Sequence, residues 1–229
     1  MTVESRSPQP QTRAAARSRR DALVCPSEEP LGPGSRVLRG FATAEAESLL
    51  EALGGLIALA PFRNMETPGK SLMSVAMTNC GELGWISGRS GIRYEAQDPL
   101  TGKPWPAIPD AFLRVATSAA KQGGFEDFVP DACLVNRYQI GARLTLHQDR
   151  DERDLYQPIV SISLGMPAVF LFGGLSREEP VREVPVTHGD VVVWGGPDRL
   201  RYHGVLPLKP ARGLALGGLR YNLTFRKAG

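Results

Sequence analysis

Arg220-Tyr221-Asn222-Leu223-Thr224-Phe225-Arg226 alternates polar and apolar side chains from end to end, the period-two pattern of a β-strand. Arg220, Asn222, Thr224 and Arg226 share one face, and Tyr221, Leu223 and Phe225 share the other. The apolar face belongs against a core or against helices. The polar face has two readings: the wet side of an edge strand, or the inside of a barrel. Two inward arginines are costly unless anions match them. A dicarboxylate offers two such anions, and guanidinium forks grip carboxylates bidentately.

Upstream, Cys133-Leu134-Val135, Ile159 to Leu164, Val169 to Phe172 and Val191 to Trp194 are further β-rich runs separated by Gly- and Pro-containing turns. Helical spacing occurs earlier. Leu49, Leu50, Leu53, Leu56 and Ile57 form one apolar stripe, with Thr43 as its expected cap and Glu45 and Glu47 in its first turn. Phe112, Val115, Ala116 and Ala119 predict a second helix from Asp110, ended by Gly123-Gly124. Strands and helices do not alternate, which disfavours a doubly wound parallel sheet. The expected fold is mainly β with flanking helices, built on a jelly-roll core. The Gly- and Pro-rich segment between Pro61 and Pro109 predicts loops and hairpins, which often carry substrate contacts.

The chain has 229 residues, 42% hydrophobic and 22% charged, enough for one sizeable domain plus a tail. No run approaches the apolar length of a membrane helix. Residues 1–35 are rich in Pro, Ser, Arg and Ala, and predict a disordered basic tail, with order starting near Val37-Leu38 and one domain over 36–229. Arg6, Arg13, Arg17, Arg19 and Arg20 crowd the start, where a tail either grazes phosphates or is simply solvated. Cys25, Cys80 and Cys133 form no C-x-x-C pair and cannot all pair internally, so a reducing compartment is expected. A cytoplasmic monomer is the expected setting.

With 3 histidines, each can be weighed. His147 and Asp149 stand two apart in Leu146-His147-Gln148-Asp149, so on extended backbone both side chains point the same way. His203 lies far downstream in Tyr202-His203-Gly204. Two imidazoles and one carboxylate on one face of a six-coordinate ion leave three open positions, the arrangement of non-haem Fe(II) oxygenases. Zinc takes the same ligands, and an H-x-D pair alone is commonly a surface or cap feature. His188, in a turn before a strand, reads as structural. Asn136 and Tyr138 share a face of Leu134-Val135-Asn136-Arg137-Tyr138 and offer an amide and a phenol.

Together these residues resemble the bacterial AlkB family of Fe(II)/2-oxoglutarate-dependent dioxygenases, over about Pro61 to Lys227. The similar runs include Ser74-Val75-Ala76-Met77-Thr78-Asn79-Cys80-Gly81, Pro130-Asp131-Ala132-Cys133-Leu134, Asn136-Arg137-Tyr138, Leu146 to Asp149, Phe172-Gly173-Gly174-Leu175, His188 to Gly196 and Arg220 to Arg226. The resemblance implies a double-stranded β-helix, with a nucleotide-recognition region at 61–109 and a catalytic jelly roll at 130–227. It implies Fe(II) on His147, Asp149 and His203. It further implies 2-oxoglutarate on Arg220 and Arg226, helped by Asn136, Tyr138 and Asn222. O2 would convert that cosubstrate to succinate and CO2, and an alkyl group on a base nitrogen would leave as formaldehyde. Asp190 and Trp194 match as scaffold.

The resemblance also implies a pocket for an alkylated base of DNA, with RNA as a further substrate. Trp85 would stack on the base opposite His147, and Asp151 would sit near its positive charge. Arg177, Tyr94, Thr67, Met73 and Met77 match pocket and recognition-loop residues; core filler is the alternative for the methionines. Arg143, Arg150 and Arg89 are candidates for phosphate contacts. Ile92 departs from the family, which commonly has tyrosine there; it can neither donate to a phosphate nor stack a ring, so an altered lesion range is expected. Two other functions stay open: an oxygenase of the same class acting on RNA modifications, protein or a small molecule, and a metal-binding β-sandwich without turnover.

Overall fold

The computed structural model describes residues 27–211 and 215–229. Its first half runs β1 (Ser27–Gly32), β2 (Ser35–Arg39), α1 (Ala46–Leu59), β3 (Arg63–Glu66), β4 (Leu72–Gly81), β5 (Gly84–Gly88), β6 (Gly91–Glu95) and α2 (Asp110–Gln122). The second half is β7 (Ala132–Tyr138), β8 (Leu144–His147), β9 (Ile159–Gly165), β10 (Ala168–Phe172), β11 (Arg182–Val186), β12 (Val191–Trp194), β13 (His203–Val205) and β14 (Arg220–Arg226).

A large antiparallel sheet has the order β1-β2-β12-β9-β14-β7-β4-β3; a smaller one has the order β11-β10-β13-β8. The expected β-rich architecture with flanking helices is what the chain adopts. Strand β14 lies inside the large sheet, hydrogen-bonded to β9 and β7 along nearly its whole length, so it is not an edge strand. Its alternation then sorts two cores. Leu223 and Phe225 face the helices, with Val135, Ile162, Val191 and Val193 from neighbouring strands and Leu49, Leu53, Phe112 and Ala116 from α1 and α2. Phe112 meets Phe225 edge-on at 6.2 Å between ring centroids. The opposite face turns toward the small sheet, where Met77, Leu134, Tyr138, Phe170, Val192 and Trp194 pack between the sheets. Each large apolar side chain removed from water in these layers contributes about 1.5–3 kcal/mol. They hold the sandwich closed around the buried polar side chains of β14.

Two boundaries differ from expectation. Residues 27–35, read as tail, form β1 and the turn into β2, and β1 pairs with β2 from Ser27↔Arg39 onward. Glu29 joins Arg39 and Arg182, so charged pairs and backbone hydrogen bonds tie the strand down without an apolar pattern. Cys25 and the arginines of the first twenty positions lie outside the described residues. Thr43 does not cap α1: the backbone N–H of Ala46 donates to the Thr43 carbonyl in a preceding turn, and the helix starts after Glu45. The segment 61–109 does contain hairpins, but β4 pairs with β7 and so extends the large sheet beyond 130–227. Hairpin β5–β6 stands apart as a two-stranded ribbon.

Candidate active site

His147 ends β8, His203 opens β13, and the register makes them direct cross-strand partners. Their rings lie 4.4 Å apart between centroids. Asp149 follows two residues beyond His147, with Oδ1 3.7 Å from Nε2 of His147 and Oδ2 3.6 Å from Nε2 of His203. One ligand atom from each of the three lies within 4.8 Å of the others. Nδ1 of His147 is 2.8 Å from the Thr145 carbonyl and Nδ1 of His203 is 3.1 Å from that of Arg201. A carbonyl only accepts, so each Nδ1 carries a proton and each Nε2 is turned toward Asp149. Gly204 permits this closeness: a Cβ there would stand 2.7 Å from the Leu144 carbonyl oxygen and 3.2 Å from the Leu146 nitrogen.

Burial first, and then the facing His203, push His147 down to about 4, so it is neutral and ligand-ready near pH 7. Its side chain keeps 39% exposure and lines the cavity. Burial alone would raise Asp149. Arg226, with the two imidazoles, overrides it and holds the carboxyl well below its usual range.

These three residues line a cavity of about 200 Å³ whose floor is the polar face of β14 and β7. Arg220 is 2% exposed, and its Nη2 donates to Ser163 Oγ at 3.1 Å. Its Nε and Nη1, together with Tyr138 Oη and Asn136 Oδ1, are buried with no hydrogen-bond partner among the described residues. Unpaired buried polar groups cost roughly 1–3 kcal/mol each, so the orphaned donors among them, Arg220 Nε and Nη1 and Tyr138 Oη, form a cradle shaped for an anion, with the Asn136 acceptor beside it. Asn222 is already committed: its amide nitrogen donates to Ser161 Oγ at 2.7 Å and the Ile162 carbonyl at 3.1 Å. It braces Asn136 across the register rather than offering free donors. Arg226 lies at the metal end, its Nε 2.9 Å from Asp149 Oδ2. The donor set therefore fits a divalent cation beside a dicarboxylate, one end at Arg226 and the other at Arg220.

The mouth is built by β4 and the β5–β6 ribbon. Thr67, Met73, Met77, Trp85, Ile92 and Asp151 all line the cavity. Cross-strand pairs Trp85↔Tyr94 and Ser87↔Ile92 put these four residues on one ribbon face. Burial, then the negative Glu152 and Asp149, raise Asp151. Two expected pocket residues lie elsewhere. Tyr94 turns its hydroxyl to Glu152 at 2.7 Å, and Arg177 is exposed over the Tyr202 ring at 4.9 Å. Arg143 and Arg150 are exposed, and Arg89 pairs with Glu66. His188 accepts from the Gly165 N–H at 2.9 Å, the structural part read for it. Asp190 accepts from Gly40 and Thr187 N–H groups, also as scaffold. Trp194 is more than scaffold: it lines the cavity and its ring lies 4.9 Å from that of His203.

A model of the 2OG-Fe(II) oxygenase superfamily matches residues 34–226. The alpha-ketoglutarate-dependent dioxygenase AlkB of Salmonella typhimurium is 57% identical over 203 residues, 89% of this chain and 94% of that protein. This chain is an AlkB-family dioxygenase. The AlkB protein of Escherichia coli is 54% identical over 204 residues, covering 89% of this chain and 94% of its own length. The solved structure of OsALKBH1 superposes with a TM-score of 0.75 at 28% identity, covering 88% of this chain and 100% of that one.

Around the AlkB-type site stands a network the sequence did not reveal. Arg199 donates to the Asp149 carbonyl at 2.7 Å, the Gln157 carbonyl at 3.0 Å and Glu152 Oε2 at 2.9 Å. Glu152 sits in the charge-rich run after Asp149, which reads as a solvated turn; its partner lies 47 residues away. Nothing local marks that pairing.

Proposed function

We propose that this chain removes alkyl groups oxidatively from damaged bases such as 1-methyladenine and 3-methylcytosine in DNA, and in RNA, working as a cytoplasmic monomer. The observation that carries this is the set of orphaned donors on Arg220 and Tyr138 at the floor of the cavity that also holds the His147, Asp149 and His203 side chains. His147, Asp149 and His203 would hold Fe(II). Arg220 and Tyr138 would bind the distal carboxylate of 2-oxoglutarate, and Arg226 the end nearest the metal, with Asn136 and Asn222 fixing the floor. When bound, the ferrous ion and 2-oxoglutarate supply with O2 the oxidising power that ends in succinate, CO2 and release of the alkyl carbon as formaldehyde.

The chain's own part is placement. Trp85 and the exposed edge of His147 form two flat walls for a flipped base, each stack contributing ~1–3 kcal/mol. Asp151 sets a carboxyl at the mouth, where methylation at N1 of adenine or N3 of cytosine leaves a positive charge. Thr67, Met73, Met77 and Ile92 shape the rest. Tyr94 and Arg177 act from outside the pocket, Tyr94 through Glu152. Among the described residues no helix is long and apolar enough to cross a membrane.

Anaerobic titration with Fe(II) and 2-oxoglutarate tests the site: the visible charge-transfer band of a chelated keto acid on ferrous iron is expected, and a protein that binds only zinc would not give it. Formaldehyde release from a 1-methyladenine oligonucleotide, set against a methyl-lysine peptide, tests the substrate. Release from the peptide alone would overturn the base assignment.

A further inference from the structure

Glu152 is 7% exposed, yet three elements converge on its carboxylate. Oε2 accepts from Arg199 at 2.9 Å, while Oε1 accepts from Tyr94 Oη at 2.7 Å and lies 3.3 Å from Arg226 Nε. Arg226 Nε is thereby shared between Glu152 and Asp149 Oδ2 at 2.9 Å. Tyr94 belongs to β6, on the ribbon face that also carries Trp85. One oxygen atom therefore joins the ribbon roofing the base pocket to the guanidinium at the metal end of the cosubstrate cradle.

Two physical consequences follow. A carboxylate held by two hydrogen-bond donors and one ion pair from separate elements has one geometry, so docking Tyr94 fixes Glu152, and Glu152 fixes Arg226. Asp149 alone cannot do this, because an acid that ligates a metal must share its oxygens with the ion. Glu152 is not a candidate ligand among the described residues, and its oxygens remain with the protein whatever occupies the site.

We propose that Glu152 is a positioning residue that couples docking of the β5–β6 ribbon, through Tyr94, to the placement of Arg226 for the cosubstrate. The coupling is positive: a docked ribbon tightens 2-oxoglutarate binding, and by linkage bound 2-oxoglutarate steadies the ribbon by the same factor. This rests on the cosubstrate assignment proposed above. Glu152 touches neither cosubstrate nor base; it acts through Arg226 on one side and Tyr94 on the other.

The test uses the full chain loaded with Mn(II), read by 2-oxoglutarate affinity from calorimetry and by hydrogen exchange of the amides of residues 84–95. In the wild type, 2-oxoglutarate should slow exchange in that ribbon. Tyr94→Phe removes one oxygen and should weaken 2-oxoglutarate by about fivefold or more. It should also abolish the 2-oxoglutarate-dependent slowing. In turnover, KM for 2-oxoglutarate should rise while kcat at saturating cosubstrate holds. Glu152→Gln should give the same phenotype, and adding Tyr94→Phe to it should change little further, since both act along one route. Should Glu152→Gln fail to fold, Tyr94→Phe carries the test alone. Faster exchange in Tyr94→Phe that is equal with and without 2-oxoglutarate, at unchanged affinity, would reduce Tyr94 to ribbon stability and overturn the coupling. Additive effects in the double variant would overturn the route through Glu152. A wild type that fails to bind 2-oxoglutarate at all would instead overturn the cosubstrate assignment.

Discussion

Replacing Arg220 by methionine separates a cation kept for a ligand from one kept for the fold. Arg220 is buried at 2% exposure, makes one hydrogen bond to Ser163, and leaves Nε and Nη1 unpartnered. An uncompensated buried charge is a burden on the protein alone, and an apolar side chain of similar length removes it. Arg220→Met should therefore melt at the same temperature as the wild type or higher when no cosubstrate is present. With cosubstrate the order reverses. Wild type at a hundredfold excess of 2-oxoglutarate over Kd gains about 2.7 kcal/mol. For a domain of this size that is a rise of roughly 5–11 °C in Tm. The variant loses a charge-assisted contact of about 1.5–3 kcal/mol, so 2-oxoglutarate binding weakens roughly 10- to 150-fold. At the same concentration about half to nine-tenths of the Tm rise should vanish. Scanning calorimetry of Mn(II)-loaded protein with and without 2-oxoglutarate measures both numbers. A variant that melts well below the wild type but keeps the full cosubstrate-induced rise would show that Arg220 serves packing, and the cradle assignment would fall.

The remaining expectations concern the metal, the strand pair that carries it, acidity and the mouth. His147→Ala and Asp149→Ala should each abolish turnover by loss of iron, checked by the anaerobic absorption band; full activity in either would refute the ligand assignment. Gly204→Ala would press a methyl group against backbone at 2.7 Å. The β8–β13 pairing must shift, with a cost of about 1–3 kcal/mol, seen as a lower Tm together with weaker Mn(II) binding. His147 has a folded pKa of about 4 against an ordinary 6.5. Between those values the unfolded chain binds more protons at this residue, so its contribution is complete above pH 6.5 and lost as pH falls toward 4. Urea midpoints of metal-free wild type should drop more steeply over that window than those of His147→Leu. Ile92 is 43% exposed at the cavity mouth; Ile92→Tyr should alter lesion preference across a panel of methyl and etheno adducts without moving KM for 2-oxoglutarate, and an unchanged panel would dismiss a role in selectivity.

The parts legible in the sequence are those where a local pattern equals a structural cause. The alternation of residues 220–226 is legible because β14 has one face on the helices and the other on the cavity, so each successive side chain meets a different medium. The stripe at 112–119 is legible for the same reason at helical period. Strand β1 was not: Ser-Glu-Glu-Pro-Leu-Gly buries little, and its charges and proline are what an edge strand uses against further pairing. The metal trio was legible as a chemical set, since His147 and Asp149 are near neighbours, but the direct pairing of His147 with His203 is a register fact that spacing does not contain. Glu152, Arg199 and the inward hydroxyl of Tyr94 were hidden because their meaning lies in long-range partners.

Charge around the cavity gives the site a direction. Asp149 and Glu152 are matched by Arg226 and Arg199, so these four buried groups cancel within the protein. Two groups stay out of that balance. Among the described residues Arg220 at the deep end has no carboxylate within salt-bridge reach, and Asp151 at the mouth is crowded by Glu152 and Asp149. A field that is positive at the floor and negative at the entrance draws a dicarboxylate inward and holds a cationic base at the door. The reverse occupancy is penalised at both ends. A base that has lost its alkyl group also loses its positive charge at neutral pH, and with it the attraction to Asp151. The arrangement that admits the damaged base therefore weakens its own hold once the base is restored. Asp151→Asn should accordingly weaken binding of a 1-methyladenine oligonucleotide while leaving that of the unmethylated strand unchanged, and equal weakening of both would remove charge from the account of selectivity.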